Sequence, residues 1–555
     1  MSIEADYASL FAKMGGFTRY HFIQFVINFL LFGYATMDNF SSTFAIVHPG
    51  FVCGNSSVEF DCASFEDHNR TCSNEPTLST TTYRRTLVSK FQLTCSNKQM
   101  LLFVPSVYMG GLLAGSLLLG PLIDRIGRKR VILLCALFSS AVNLGSALSN
   151  SMALYQFFRF LAGFATGSLF TATYTMVLEN VDNTNRNRVA FGMTLAWPVG
   201  ICFLSLVAFL CHGDFVYLHF CLAVCCLLLG LLHLFVVTES LRWLALHSIH
   251  KHEELLKAIK KINMINGRDH VLLTMESVEH NRQSKQDTIL HLKNYPQNLK
   301  SLLTQIFLGF TSNGLVYYTF AIGIVSSSAN VYTKNLYGGL VELTSVVFFM
   351  CTTSRVGRVP IQFLFIICNF VTILVMTIWK MTSSRDIYWL SQMCYLIGRF
   401  SLSFIGSTSG IHSVELVPTH IRGVGISFKN AFVFAGSLFA PQMFLLTEFW
   451  KPTPYLISSL LQLVNIFAVL TLPETRNKIM FDTLQQNEHF LKTAPRCLSR
   501  KNRFPFVNFR LLDFGRRTVL KLLPVLLLRQ SCSERMENAS HRLRLPALRV
   551  TVMGC

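Results

Sequence analysis

Apolar residues in this chain come in long blocks, and that arrangement leaves few folds open. Blocks of about twenty apolar residues are long enough to cross the ~30 Å hydrocarbon core of a bilayer as helices. A helix satisfies every backbone hydrogen bond within itself, as lipid requires. The 555 residues include only 14% charged side chains against 51% apolar ones. A soluble chain of this length would carry about 25% charged residues. The blocks predict spans at about 21–46, 100–122, 131–149, 153–178, 188–211 and 215–237. A second set follows at about 301–326, 331–351, 359–380, 386–413, 424–447 and 454–472.

The polar residues divide the rest of the chain. A loop over 48–98 separates the first two blocks, and a polar segment over 239–300 separates the two sets. That segment has ten Lys/Arg from Arg242 to Lys300 and a helix-like stretch over Glu253–Ile265. The expected organisation is therefore a first half at 1–238, a central segment at 239–300, a second half at 301–473 and a basic tail at 474–555. Positive charge concentrates in short connections, in the central segment and in the tail, as it does on the cytosolic side of membrane proteins. Both termini are expected in the cytosol. The net charge of +20 is read this way rather than as a nucleic-acid surface. From Arg500 onward twelve Lys/Arg face only Asp513, Glu534 and Glu537, a disordered tail or a segment lying on anionic lipid.

Cys53, Cys62, Cys72 and Cys95 cluster in the 48–98 loop, and four cysteines allow three pairings. Asn55 and Asn69 begin glycosylation sequons in the same loop, which is therefore expected outside the cell. Cysteines inside the blocks, such as Cys135, Cys211, Cys221 and Cys368, read as small buried hydrophobes. The polar stretch to about Tyr20 and the long first block without a small-residue cleavage site lead us to expect no cleavable signal sequence. No phosphate-binding loop and no metal-ligand spacing is present, so neither an enzyme nor a cofactor is expected. His212, His219 and His233 are scattered.

The two sets of blocks echo each other. Arg125-Ile126-Gly127-Arg128 recurs as Arg355-Val356-Gly357-Arg358, and Arg159-Phe160 as Arg399-Phe400. Glu239-Ser240 recurs as Glu474-Thr475, and Glu179 followed by Arg188 as Glu415 followed by Arg422. The order is the same and the offsets are similar. Parallel six-helix repeats place a substrate site between the halves near the bilayer midplane.

Gly120-Pro121-Leu122-Ile123-Asp124-Arg125-Ile126-Gly127-Arg128-Lys129 resembles the loop signature of the major facilitator transporters. Asp124 is expected to pair with arginines or a helix end and latch the halves. Ser354 holds the acidic position in the second copy, which should weaken it. Arg159, Arg399, Glu179, Glu415, Arg188 and Arg422 are expected to form an intracellular charge network, or else simply to occupy helix ends.

Within that superfamily the chain resembles the organic cation, carnitine and organic anion transporters from the first block to about Arg476. The resemblance rests on the cysteine-bearing first loop and its closing Phe91-Gln92-Leu93-Thr94-Cys95. It also rests on Thr238-Glu239-Ser240-Leu241-Arg242-Trp243-Leu244, with Thr238 where the family has proline. Glu415-Leu416-Val417-Pro418-Thr419-His420-Ile421-Arg422-Gly423 and Leu472-Pro473-Glu474-Thr475-Arg476 complete it. It implies an all-α membrane protein of major facilitator fold, about twelve transmembrane helices in two six-helix halves, set in the plasma membrane. It also implies a small organic ion as substrate, moved by alternating access.

Glu342 is the leading contact for a cation, since a carboxylate in a membrane cavity attracts one; its structural alternative is a hydrogen bond to a neighbouring helix. Val346 stands where anion-preferring relatives have lysine, and Phe434 where relatives have Asp or Arg. Phe434 can offer a ring face instead. Lys429 either snorkels toward the cytosolic end or contacts an anion. Asn313, Tyr317, Tyr318 and Trp197 are candidate lining residues, or packing. Asp38 reads as a marker of the membrane interface. Three functions stay open at this point: transport of organic cations or carnitine-like zwitterions, exchange of organic anions, and a transport-inactive scaffold.

Overall fold

The computed structural model describes residues 17–49, 51–52, 59–60, 77–78, 83–93, 98–181, 183–246, 248–267, 289–323, 330–382, 388–418, 421–476 and 483–493. These belong to one compact unit, Met1–Leu498. The first half has α1 (Arg19–Ala45), α2 (Lys98–Ile126), α3 (Arg128–Leu148), α4 (Met152–Glu179), α5 (Arg188–Leu210) and α6 (Phe215–Val236). In the second half α7 runs in three pieces, Pro296–Leu308, the π-helical Gly309–Val316 and Tyr317–Ile322. Then come α8 (Val331–Val356), α9 (Arg358–Thr382), α10 (Tyr388–Leu416), α11 (Arg422–Phe439) and α12 (Thr453–Leu470). Ten of these helices are long and apolar enough to cross a membrane. The other two are α7, broken by its π-helical piece, and α10, which carries a dense polar run from Ser401 to Ser413.

The departures from the sequence expectation have local causes. The seventh span starts earlier because Pro296 opens the helix, a position where its missing N–H leaves no partner unsatisfied. The eleventh span runs Arg422–Thr447, close to the expected bounds, with Pro441 changing its last part from α-helix, which ends at Phe439, to the 3₁₀ stretch Pro441–Glu448. Cys221 is exposed and Cys211 and Cys368 only partly covered, so of the four cysteines read as buried only Cys135 is fully so. A lipid-facing helix surface is apolar without being interior, so hydrophobicity alone does not report burial there.

Within the first half α2 packs on α4, α3 on α4 and α6, and α1 on α4, α5 and α6. Within the second α9 packs on α10 and α12, α8 on α10, and α7 on α10, α11 and α12. The halves meet through α2 against α11 and α5 against α8. Small residues permit the closest crossing. Gly111 and Gly115 of α2 face the α4 backbone at Phe160 and Phe164, while Gly163 and Gly167 face α2 at Tyr108 and Leu112. A side chain at any of the four would strike main chain, which is how glycine lets transmembrane helices touch.

Outside the bundle, Leu241–Leu246 and Ser248–Asn266 follow α6, the latter spanning the helix-like stretch read in the sequence. Leu484–Thr493 packs on α7, where Glu488 accepts the backbone N–H of Gln297 at 3.1 Å and of Asn298 at 3.0 Å. Between α1 and α2, strands Phe51–Val52, Glu59–Phe60 and Thr77–Leu78 form a small antiparallel sheet, with Phe51 opposite both Phe60 and Leu78.

Candidate substrate-binding site

Glu342 lies on α8, two turns past its first polar stretch, and is 1% exposed. A lone carboxylate in such a place would be strongly disfavoured. Its partner is Arg399 of α10, an ion pair with both side chains withdrawn from solvent. The Tyr317 hydroxyl of α7 donates to both Glu342 oxygens at 2.9 and 3.1 Å. The Trp197 indole N–H of α5 donates to the Tyr317 oxygen at 2.9 Å. This last bond crosses from the first half to the second.

Aromatic rings close around the pair. The Arg399 guanidinium sits 4.9 Å from the Tyr317 ring and 6.0 Å from those of Phe40 and Tyr395. Phe40 stacks on Tyr318 at 5.9 Å and meets Trp197 edge-on at 5.7 Å. Asn39 donates to the Tyr318 hydroxyl at 2.7 Å. Thus α1 and α5 from one half and α7, α8 and α10 from the other build a single polar-aromatic centre. Of the expected lining residues, Glu342, Tyr317, Tyr318 and Trp197 come together here. Glu342 is not a free acid, however: Arg399 already neutralises it.

The first half holds a counterpart. Arg159 of α4 donates to Asp38 of α1 at 2.9 Å, and both are 0% exposed. Tyr108 of α2 donates to Asp38 at 3.0 Å and its ring lies 4.3 Å from the guanidinium. So the repeated arginines each hold a buried carboxylate and a tyrosine, but the roles are exchanged. In the first half the acid is on the first helix and the tyrosine on the second; in the second half the order is reversed. Asp38 is therefore a buried counter-ion rather than an interface marker.

Arg159 and Arg399 do not join an intracellular network. Twenty helical residues separate Arg159 from Glu179, about 30 Å at 1.5 Å per residue, and Arg399 lies about 24 Å from Glu415 by the same measure. The charges near the far end form two matching clusters instead. In one, Arg128 binds Glu179 at 2.9 Å and Asp124 at 2.6 Å, and Ser240 donates to Glu179 at 2.7 Å. In the other, Arg358 binds Glu415 at 2.7 Å and Thr475 donates to the same carboxylate. Asp124 thus pairs inside its own half, four residues along the chain, rather than across the halves.

Glu239 and Glu474, which repeat in the sequence, have matching roles that the sequence pattern does not reveal. Glu239 accepts the Lys129 backbone N–H at 2.9 Å, and Glu474 those of Arg358 and Val359 at 3.1 and 3.0 Å. Each caps a helix start just after a glycine with positive φ, Gly127 at 109° and Gly357 at 102°. Burial holds the Glu239 carboxyl above its ordinary range, with the donated N–H groups pulling it down in part. Arg125, Arg188 and Arg355 are exposed, and Arg422 turns back to the Val417 carbonyl at 3.2 Å.

Lys429 does not snorkel. It is 4% exposed, and its ammonium donates to the Ser409 carbonyl and hydroxyl at 3.0 Å and to Ser413 at 2.7 Å. Asn313 sits in the π-helical piece of α7 with a buried Oδ1 that has no partner among the described residues. Phe434 is partly buried against the main core. Cys53, Cys62, Cys72, Cys95, Asn55, Asn69 and the tail beyond 493 lie outside the described residues, as does the side chain of Ser354.

Two six-helix groups sharing a charged centre at mid-bundle define a membrane carrier of the two-half kind. Residues 85–441 match the family model of the Major Facilitator Superfamily, and the chain belongs to that family. It is 27% identical over 427 residues to the Organic cation transporter protein of Drosophila melanogaster, covering 74% of this chain and 76% of that one. It is 26% identical over 435 residues to Organic anion transporter 3 of Oryctolagus cuniculus, covering 76% and 79%. Solute carrier family 22 member 1 of the same species is 26% identical over 415 residues, covering 74% and 73%. Among solved structures, the proton:xylose symporter XylE bound to 6-bromo-6-deoxy-D-glucose superposes with a TM-score of 0.58 at 18% identity, over 84% of this chain and 98% of that one. The inward-open XylE from E. coli gives 0.55, also at 18% identity, over 85% and 98%. This likeness concerns the fold. The chain is a transporter of the major facilitator kind rather than an enzyme, and its relatives are organic cation and organic anion transporters.

Proposed function

We propose that this protein carries small organic ions, cations or carnitine-like zwitterions in the first instance, across the plasma membrane by alternating access around the Glu342–Arg399 centre. One observation carries the reading: the Trp197-to-Tyr317 hydrogen bond joins the halves directly onto the Glu342 carboxylate. A substrate that competes for Glu342 or Tyr317 changes the contact holding the halves together. Binding is then coupled to rocking, as differential affinity between two states requires.

The end of the bundle bearing Asp124 and Glu179 is the cytosolic one in this proposal. Both termini, the 239–300 segment and the 474–555 tail lie there, and halves 1–238 and 301–473 are the rocking bodies. Bonds between halves gather toward the opposite end. Ser106 donates to the Leu438 carbonyl at 2.9 Å, and Asn335 donates to Ser205 at 2.8 Å. The state described is closed at that outer end. The aromatic surface of Phe40, Trp197, Tyr318 and Phe434 suits a quaternary ammonium, each ring contributing about 0.5–2 kcal/mol. Asn313 and Lys429 border the path on the cytosolic side; Asp124, Arg125, Gly127, Arg128, Arg355 and Arg358 shape the turns that the rocking flexes. The four loop cysteines pair and Asn55 and Asn69 carry glycans on the outer face.

The test is uptake of labelled choline, glycine betaine and benzoate by cells expressing the chain, with Glu342→Gln in parallel at matched surface level. Saturable uptake lost in Glu342→Gln supports the reading. Surface-expressed protein that moves none of the three would favour the scaffold alternative, and uptake of benzoate alone would favour the anion exchanger.

A further inference from the structure

Nine Asp, Glu, Lys or Arg side chains are buried among the described residues: Asp38, Arg128, Arg159, Asp214, Lys334, Glu342, Arg399, Lys429 and Glu488. Seven have a partner of opposite charge within 4 Å. Lys334 and Lys429 have none among the described residues, and both are cations of the second half. They differ in one respect. Lys429 is surrounded by three oxygens that meet its hydrogen-bonding needs. Lys334, 3% exposed, has no such set among the described residues.

Lys334 belongs to a stripe. On α8, Lys334, Gly338 and Glu342 recur every four residues and share one face. On α10, Tyr395 and Arg399 do the same. The two faces meet at Gly338, where an added Cβ would lie 2.9 Å from the Tyr395 hydroxyl and 3.7 Å from Arg399 Nε. Arg399 gives only one nitrogen, Nη2, to Glu342. Its Nε and Nη1 are buried with no partner among the described residues, and so is the Tyr395 hydroxyl. A guanidinium has five N–H donors, and a buried donor left without an acceptor is destabilising. Donors without acceptors drawn together by the close approach of α10 to Gly338, and a lysine with no acidic partner one turn along α8 from that glycine, describe a place for an anionic oxygen.

We propose that Arg399, Tyr395 and Lys334 hold the carboxylate of the transported substrate, beside the Glu342–Arg399 pair. This rests on the transport reading and narrows it. The preferred substrates carry a carboxylate, with any quaternary ammonium turned to the aromatic rings and Glu342. A cation lacking a carboxylate leaves the donors empty and binds weakly.

Binding to the purified protein tests this separately from transport. Glycine betaine and choline share a trimethylammonium and differ in the carboxylate; benzoate has the carboxylate alone. Thermal stabilisation by each is measured on the wild type, Lys334→Met, Lys334→Arg and Tyr395→Phe. Arg399 is left intact because its removal would strand Glu342. Glycine betaine is expected to stabilise the wild type at concentrations at least about tenfold lower than choline, the size of one hydrogen bond to a charged group. Lys334→Met and Tyr395→Phe should each weaken glycine betaine by about tenfold, with Lys334→Arg close to wild type. Choline binding as tightly as glycine betaine, carboxylate affinity unchanged in both Lys334→Met and Tyr395→Phe, or no stabilisation by any of the three overturns the inference. Lys334-dependent binding without uptake in cells would uphold this site and sink the transport reading instead.

Discussion

Glu342 and Arg399 neutralise each other at mid-bundle, each 1% exposed or less, and neither has another ion partner among the described residues. A buried pair is less a source of stability than a liability when broken. Removing one member leaves an uncompensated charge and costs about 3–5 kcal/mol. Glu342→Gln is therefore expected to lower the melting temperature of the purified protein as well as its activity. The double change Glu342→Gln with Arg399→Gln should recover much of the lost stability but not transport. A double variant no more stable than the single one would refute the pairing.

The Trp197-to-Tyr317 bond is one of two direct polar links between the halves at this centre, the other being Asn39 to Tyr318. Trp197→Phe keeps the ring and removes the donor. Loss of one such bond, about 0.5–1.5 kcal/mol, should shift the two-state equilibrium several-fold toward opening of the outer end. Labelling by a membrane-impermeant thiol reagent of a cysteine placed at Thr43, buried near that end of α1, should rise accordingly.

Gly127 and Gly357 hold φ at 109° and 102°, where a side chain is strained. An added Cβ would also press on the Glu239 and Glu474 carboxylates. Gly127→Ala and Gly357→Ala should each destabilise by more than about 1 kcal/mol, read by thermal unfolding.

Glu239 gives a pH dependence whose sign follows from its burial. Its carboxyl is held above the ordinary value of 4.5. The stability tied to it is therefore fully present below that value and is lost as pH rises through the raised one. The melting temperature should fall across that window, and Glu239→Gln should flatten the decline. An unchanged profile in Glu239→Gln would assign the dependence elsewhere.

Much of the architecture was legible because lipid is a demanding solvent. Long apolar blocks have one stable outcome in it, so the spans could be read to within a few residues at α3 and α5. The repeat of Arg125-Ile126-Gly127-Arg128 announced two related halves. The loop motifs carried the family. The start of the seventh span moved where a proline governs it, at Pro296, and at Pro441 a proline changed the type of helix without moving the end of the span. The π-helical piece of α7 left no sign in the apolar pattern, since its residues differ little from those of an α-helix.

The sequence by itself determined that this is a two-half helical membrane protein and supplied the charges: Asp38, Arg159, Glu342, Arg399, Lys334 and Lys429 all stand in apolar blocks. Only the tertiary structure decided which of them cancel. Asp38 finds Arg159 121 residues away, and Glu342 finds Arg399 across α8 and α10. A charge in a membrane span must be paired or put to use, but pairing depends on which helix faces turn together, and crossing angles are set by packing between helices distant in sequence. That is why Glu342 reads in the chain as a contact for a cation, or else as bonded to a neighbouring helix, and stands in the fold as half of an ion pair.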